Sequence, residues 1–572
     1  FSSMKQVVQN LSNGETSLID VPKPENVPGH LLIATVNSVV SSGTERTLVD
    51  FGKGNYLNKA RQQPEKVKEV IDKIKTDGLA NTFEAVNSKL QEPLPLGYCN
   101  SGIVIESQSD FFKKGDRVIS NGYHAEVVRV PMNLCCKIPD KVDDETASFT
   151  VLGAIALQGV RLASPLIGET TVVFGLGLVG LLTVQILKAN GCRVIGVDFD
   201  KERCNLAESF EIETICSKEH DPIKQINNFT DNNGADAVII TASTESNDLI
   251  HEAAEVSRKR GKIILVGVVG LDLKREDFYE KELTFQVSSS YGPGRYDHVY
   301  EERGIDYPFG FVRWTEQRNF EAVLGLMEKG LINVKPLISH RFMLSDVKEA
   351  YKLLDDKSAL GILFNYPDHK INRSKPSLQL RKEDKGSYDK GIPVIGLIGS
   401  GNYASRVLIP SLNKTESYLH TLVASSGLRS GFYARKFNFE KVSTDKKEIF
   451  DNDEINTVVI ASRHDSHADL VISSLKSGKN VFVEKPLALK NEEINRIEEV
   501  YTSVNQGKDK DLKLMLGFNR RFSPFSIEAK SLLEKKIMPK AVVVTINAGS
   551  VPKDHWTQQR EVGGGRILGE AC

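Results

Sequence analysis

Thr170-Thr171-Val172-Val173-Phe174-Gly175-Leu176-Gly177-Leu178-Val179-Gly180 is the stretch that decides the fold. Its first five residues are β-branched or aromatic, as a buried parallel strand requires. Gly175, Gly177 and Gly180 then follow as G-x-G-x-x-G, ahead of a helix expected over Leu181 to Ala189. The first glycine makes a tight turn, the second lets backbone approach a pyrophosphate, and the third lets helix and strand pack closely. The helix N-terminus then attracts the phosphate charge. An acid is due about 20 residues on, and Asp198 stands there, closing the strand signal Arg193 to Asp198. A carboxylate in that place hydrogen-bonds the ribose hydroxyls and repels a 2′-phosphate, so NAD is expected over NADP. Strand signals continue at Ala237 to Thr241 and Lys262 to Val266, with Gly267 and Val268 read as further cofactor residues. Strand alternating with helix implies a doubly wound parallel sheet.

A second turn of this kind lies at Gly399-Ser400-Gly401-Asn402-Tyr403-Ala404, after Val394 to Ile398 and before a helix expected over Ser405 to Leu412. The following strand, Thr421 to Ser426, ends without an acid. Ser425, Ser426 and Arg429 suit a 2′-phosphate, so this second site takes NAD or NADP. Tyr366 to Lys390 separates the two halves, a run of Lys, Arg, Glu and Asp with hardly any apolar content. It reads as a solvated linker. Before the first turn, Leu31 to Val40, Gly102 to Glu106, Arg117 to Ser120 and Glu126 to Val130 carry antiparallel strand signals. One or two amphipathic helices are expected between them over Asn58 to Leu90.

The chain has 572 residues, which at about 150 per domain allows three or four domains. A formal net charge of −1 leaves no general electrostatic footprint for nucleic acid. No apolar run approaches the 18–20 or so residues of a membrane span. Phe1-Ser2-Ser3-Met4-Lys5 lacks the layout of a signal peptide, and Met4 is read as the start. Seven cysteines are too few and too irregular for a disulfide framework, so a cytoplasmic location is expected.

Gly115-Asp116-Arg117-Val118, Gly122-Tyr123-His124-Ala125-Glu126, Ser339-His340-Arg341-Phe342 and Leu344 to Ala350 extend the pattern around the first turn. Residues 4 to 365 thereby resemble a medium-chain dehydrogenase/reductase of the alcohol dehydrogenase type. The resemblance implies a barrel-like (GroES-like) catalytic domain over 4–150, resumed at 321–365, around a Rossmann domain over 151–320. Zinc-bearing relatives hold the metal at positions that here are Ser42, Tyr98 and Thr150. Hydroxyl groups are poor ligands for zinc, so this half is expected to carry no zinc. Thr44 matches the family position whose hydroxyl relays a proton from the substrate. Tyr98 either serves as a general acid or fills the space.

Thr457 to His467, Val481-Phe482-Val483-Glu484-Lys485-Pro486 and Gly517-Phe518-Asn519-Arg520-Arg521-Phe522 resemble the glucose–fructose oxidoreductase/inositol dehydrogenase family, Gfo/Idh/MocA. The resemblance implies that Lys485 sits beside the nicotinamide and takes part in proton transfer at a sugar carbinol. It implies that Glu484 positions the cofactor and that the Lys485–Pro486 bond is often cis. Ser462, His464 and His467 are read as cofactor-edge or helix-capping residues, with no metal role. The second Rossmann domain is placed at 391–540. Ala541 to Ala548 reads as the first strand of a further open-sheet domain. The family's histidine would follow Cys572, so the chain is expected to be truncated.

The functional expectation is a pair of NAD(P)-dependent dehydrogenase modules. They would move hydride between nicotinamide and a sugar, sugar acid or nucleotide-sugar, in polysaccharide or sugar metabolism. The alternatives are a non-catalytic nucleotide-sensing scaffold, or activity in the N-terminal head alone. A homo-oligomer is expected from both resemblances, with no nucleic-acid partner and no membrane span.

Overall fold

The computed structural model describes residues 3–54, 67, 86–87, 89–356, 358–367, 375–381, 391–506, 511–534, 537–546, 551 and 555–571. The chain divides into two compact units, one of Met4–Asp20 with Asn26–Asn372, the other of Phe1–Ser3, Val21–Glu25 and Arg373–Cys572. Most of the helical stretch expected between Asn58 and Leu90 lies outside the described residues.

The larger unit begins with a mixed sheet around the strand His30–Ser41. Asn100–Ser107 pairs antiparallel along Leu31–Ser38, while Val127–Pro131 pairs antiparallel with the start of the strand and Gly361–Asn365 with its end. Nearly every residue of His30–Ser41 is buried. A strand covered on both faces loses the polar alternation of a half-exposed one, as Leu31 to Ala34 shows.

The second sheet of this unit runs Glu213–Cys216, Arg193–Asp198, Thr170–Phe174, Ala235–Ile240, Ser257–Leu265, Thr284–Val287. Every neighbouring pair is parallel. The strand order reverses between Thr170–Phe174 and Ala235–Ile240. In open parallel sheets ligands bind at that crevice, outside the carboxyl ends of the strands. Thr170–Phe174 is buried throughout.

The smaller unit holds a seven-stranded sheet ordered Ser377–Gln379, Lys441–Ser443, Tyr418–Val423, Val394–Ile398, Thr457–Ile460, Asn480–Val483, Leu514–Leu516. All its pairs are parallel except Ser377–Gln379, which runs antiparallel along Lys441–Ser443. Thus an edge strand arises inside the stretch read as linker, and Tyr366 at its start is buried. The fold class is α/β with doubly wound parallel sheets, as the glycine turns implied.

Two local expectations are corrected. The helix after the second turn is irregular, a π-type turn at Ala404–Leu408 running into α-helix at Ile409–Leu412. Pro410 cannot donate a backbone hydrogen bond, so the regular ladder is interrupted there. Residues 541–546 form no strand, and Val542, Val543 and Val544 are exposed. A β-branched run becomes a strand only where a neighbour offers a ladder of backbone partners, and among the described residues none pairs with this run.

One buried carboxyl in the larger unit sets a pH dependence. Glu316 is fully buried near Glu301, and burial pushes its carboxyl up to about 9. The native state then holds a proton that the unfolded chain releases near pH 4.5 or so. Between these values stability falls as pH rises, by up to about 1.4 kcal/mol per unit. Glu316→Gln is expected to flatten that slope and raise the melting temperature above neutral pH. Scanning calorimetry across pH checks it, and an unchanged slope would refute the assignment.

Candidate active site

The first glycine turn sits at the carboxyl end of Thr170–Phe174, where the strand order reverses. Gly175 has φ +96°, and a side chain there would strike the backbone of Ala242 at 2.7 Å. The Thr241 hydroxyl donates to Gly175 O at 2.6 Å and pins the turn. At Gly180 a Cβ would meet Gly175 O at 1.8 Å. Gly177 differs, since only a nitrogen of Arg203 lies near it, at 3.4 Å. Leu176 and Leu178 are buried, whereas Gly175, Gly177 and Val179 remain partly open. The motif therefore divides into residues that pack and a backbone face left clear for a ligand.

Asp198 is nearly buried and accepts from Leu176 N at 2.6 Å and Asp200 N at 2.8 Å. It ties the second strand to the turn. Gly267 and Val268 close the same crevice, with Gly267 N donating to Ile240 O and Val268 N to Ala242 O. The Val268 side chain is exposed, and a Cβ at Gly267 would meet Ala242 O at 2.0 Å. Arg203, on the helix Lys201–Glu208, is a cation beside this crevice that sequence reasoning missed. Its signal is a basic residue one turn into the helix after the acid.

Thr44 lies on the helix Ser42–Lys53, its side chain outside the described residues. Tyr98 is half-buried in the loop before Asn100–Ser107. Between helix and loop runs a buried polar network that sequence reasoning did not assemble. Glu45, His124, Ser38 and Tyr366 are each under a tenth exposed. His124 Nε2 lies 3.2 Å from Glu45 Oε1, and its Nδ1 lies 2.7 Å from Ser38 Oγ. Tyr366 OH is 2.9 Å from Ser38 Oγ, and Tyr351 OH donates to the other Glu45 oxygen. Burial pushes the thiol of Cys99 and the phenol of Tyr351 well up, each helped by Glu45. Gly97 is required here, for a Cβ would meet the His124 ring at 2.7 Å. The network thus fixes the Gly97–Cys99 loop against the helix that carries Ser42 and Thr44.

In the smaller unit, Gly399 has φ +110°, and a Cβ there would meet Ala461 O at 2.3 Å. Gly401 has nothing within 4 Å of such a Cβ. Ala404 is buried, while Asn402 and Tyr403 are exposed. Arg429 donates to Asn402 Oδ1 at 2.7 Å, joining the turn to the next helix. Ser425 and Ser426 are exposed at the end of Tyr418–Val423.

Lys485 stands at the end of Asn480–Val483, before a cis bond to Pro486. Its ammonium donates to Gly569 O. Burial raises the Glu484 carboxyl, with Lys485 opposing. A Cβ at Gly517 would sit 3.0 Å from that carboxyl. Asn519 donates to Tyr403 OH at 3.1 Å, which carries the Gly517–Arg521 motif to the glycine turn. His467 is locked, its Nδ1 2.7 Å from Pro486 O and its Nε2 3.2 Å from Ser462 O. His464 lies 2.9 Å from Gly563 O and edge-on to Trp556. Burial pulls both histidines below their ordinary range. Lys485, Glu484, Tyr403 and His464 are thus gathered at one mouth, while His467 clamps the loop beneath.

Residues 179–303 match the family model described as zinc-binding dehydrogenase. Residues 394–507 match the model described as oxidoreductase family, NAD-binding Rossmann fold. Over 317 residues the chain is 27% identical to a protein named probable D-xylulose reductase A from Neosartorya fischeri, covering 48% of this chain and 80% of that one. Over 245 residues it is 30% identical to an NAD-dependent alcohol dehydrogenase from Sulfurisphaera tokodaii, covering 42% of this chain and 63% of that one. The crystal structure of 2R,3R-butanediol dehydrogenase from Bacillus subtilis is similar over 64% of this chain and 100% of that one, at 21% identity and a TM-score of 0.48.

The protein is an enzyme, an NAD(P)-dependent oxidoreductase that acts on CH–OH groups. It carries an NAD-binding Rossmann stretch over 394–507. The expectation that the first half carries no zinc is corrected by the match of 179–303 to the zinc-binding dehydrogenase model. That expectation tested three aligned side chains, all of them outside the matched stretch. Thr150 gives its hydroxyl to Ala147 O at 2.7 Å. Among the described residues no group of three or more His, Cys, Asp or Glu is placed to hold a metal. The residues described do not fit the ion, and no step is derived through it. No helix among the described residues is long and apolar enough to cross a membrane.

Proposed function

We propose that the chain carries two oxidoreductase heads acting on sugar-type carbinols and carbonyls, a polyol, sugar, sugar acid or nucleotide-sugar. The carrying observation is the gathering of Lys485, Glu484, Tyr403 and His464 at one mouth, within a stretch matched by the second family model. A bound nicotinamide nucleotide supplies the hydride acceptor or donor at each head. Gly177 and Gly401 are where its pyrophosphate would lie, because those are the glycines whose missing Cβ leaves open space.

In the second head, the Lys485 ammonium lies at the end of a buried strand and within electrostatic reach of His464. Its role is to hold or take the proton of the reacting hydroxyl while hydride leaves the same carbon. Glu484 orients the mouth through Gly517 and Tyr403. In the first head, Thr44 and Tyr98 are the proposed proton donors, and Asp198 sets a preference for NAD by repelling a 2′-phosphate. One head's product is proposed to serve the other, in carbohydrate metabolism.

The test supplies purified protein with NAD or NADP and a panel of polyols, aldoses and uronic acids, and follows NAD(P)H by absorbance. Turnover with a member of the panel is expected. Asp198→Ala should weaken the preference for NAD, and Lys485→Met should remove the second head's share. If the two substitutions together leave turnover unchanged, the two-headed reading fails.

A further inference from the structure

The strongest feature unused by either head is a cavity of about 570 Å³ in the larger unit, lined by Leu157, Val160, Arg161, Ile186, Trp314 and Leu326 among others. Ile186 lies in the final turn of the helix Leu178–Ala189, whose opposite end carries the dinucleotide turn. At 1.5 Å per residue that places it about 12 Å along the helix from the phosphate position. The cavity is therefore distinct from the cofactor crevice. Its volume is within the range of small-molecule sites.

Its charge is unusual. The guanidinium of Arg161 lies 3.4 Å from the centre of the Trp314 ring, and that of Arg313 lies 3.7 Å from it. None of the residues lining the cavity is acidic. Arg161 donates to the neutral Asn319 at 2.7 Å and makes no ion pair among the described residues. Arg313 feels Glu321, but Arg161 is burdened by burial and by Arg313, and its pKa is pulled down to about 10. Two helix C-termini, at Ser164 and Asn190, add partial negative charge of about half a unit each. Arg161 supplies the one full charge in the lining, and Arg313, exposed and outside it, adds to the field. Arg161, half-buried on the indole without a counter-ion among the described residues, calls for an anion from outside.

The geometry points to a binding site for a small organic acid, with its anionic head on Arg161 and an apolar body against Leu157, Val160 and Leu326. Arg161 offers a planar fork suited to a carboxylate or phosphate oxygen pair. The apolar walls select a ligand with a hydrocarbon tail over a bare inorganic ion. The site rests on neither head's chemistry.

Trp314 reports on it directly, since the chain has two tryptophans and the other is Trp556. In the protein carrying Trp556→Phe, with NAD saturating, octanoate below its micellar range should change Trp314 emission saturably. Octanamide, equal in shape and neutral, should bind about tenfold or more weakly, the size of one charge-assisted hydrogen bond. Arg161→Gln should bring octanoate down to octanamide, and Arg161→Lys should keep the anion preferred. Equal binding of acid and amide would overturn the proposal even if the arginine variants failed to fold. So would an unaltered octanoate affinity in Arg161→Gln, or the absence of any saturable change.

Discussion

Gly180→Ala will abolish NAD(H) binding at the first turn and destabilise the larger unit by about 3 kcal/mol or more, at the upper end of overpacking costs. The added Cβ would lie 1.8 Å from the carbonyl oxygen of Gly175 and 2.8 Å from the Thr241 hydroxyl. The first is backbone and cannot rotate aside. Relief needs the helix Leu178–Ala189 to withdraw from its strand, which also withdraws the N–H groups that would face a pyrophosphate. Two companion substitutions separate fold from ligand. Gly177→Ala meets only Arg203 and should leave the melting temperature almost unchanged while weakening nucleotide binding, because that face is the one left open. Gly325→Ala, on the helix Glu316–Glu328 with nothing within 4 Å, should gain up to about 1 kcal/mol from helix propensity. Calorimetry and NADH fluorescence titration read all three. A Gly180→Ala protein that melts and binds like the parent would remove the packing account of the motif.

Lys485→Met should lower turnover in the second head by about 10²- to 10⁴-fold, the span of a lost general acid–base group, while nucleotide binding persists. Methionine keeps most of the apolar stem but has no proton to exchange. Lys485→Arg should not restore the rate, because a guanidinium is neither compact nor able to lose its proton near neutral pH. The pH profile discriminates further, since a base lost with Lys485 takes one limb of the profile with it. An unaltered kcat in Lys485→Met, with the parent's pH profile, would demote Lys485 to a positioning residue.

Both glycine turns were legible in the sequence because their requirements are local. A tight turn and an open backbone each demand glycine, and a close helix demands glycine or alanine, within six positions. Arg193–Asp198 and the parallel sheet around it follow from the same short-range pattern. The His124 network was not legible, because Ser38, Glu45, His124, Tyr351 and Tyr366 come from five separate segments that only the folded sheet unites. Arg203 escaped notice because the fingerprint ends at Asp198. The valine run at 542–544 misled, since strand propensity states what a residue tolerates and not whether a partner is present. The zinc expectation failed for a related reason. Three side chains at Ser42, Tyr98 and Thr150 were asked about a metal, whereas the family match lies at 179–303 and contains none of them.

The pairing of Gly361–Asn365 with His30–Ser41 carries a consequence for synthesis. Tyr366 reaches Ser38, and Asn37 donates to Asn365, across 328 residues of sequence. At roughly 5–20 residues per second a ribosome needs about a quarter of a minute to a minute to traverse that interval. Throughout it, the Asn37–Ser41 end of one flank of the newly made strand waits with its hydrogen-bonding groups unmatched, while the whole first Rossmann sheet is made and can fold. The nascent chain's most exposed interval is thus set by its topology, and ends only when residue 366 clears the exit tunnel.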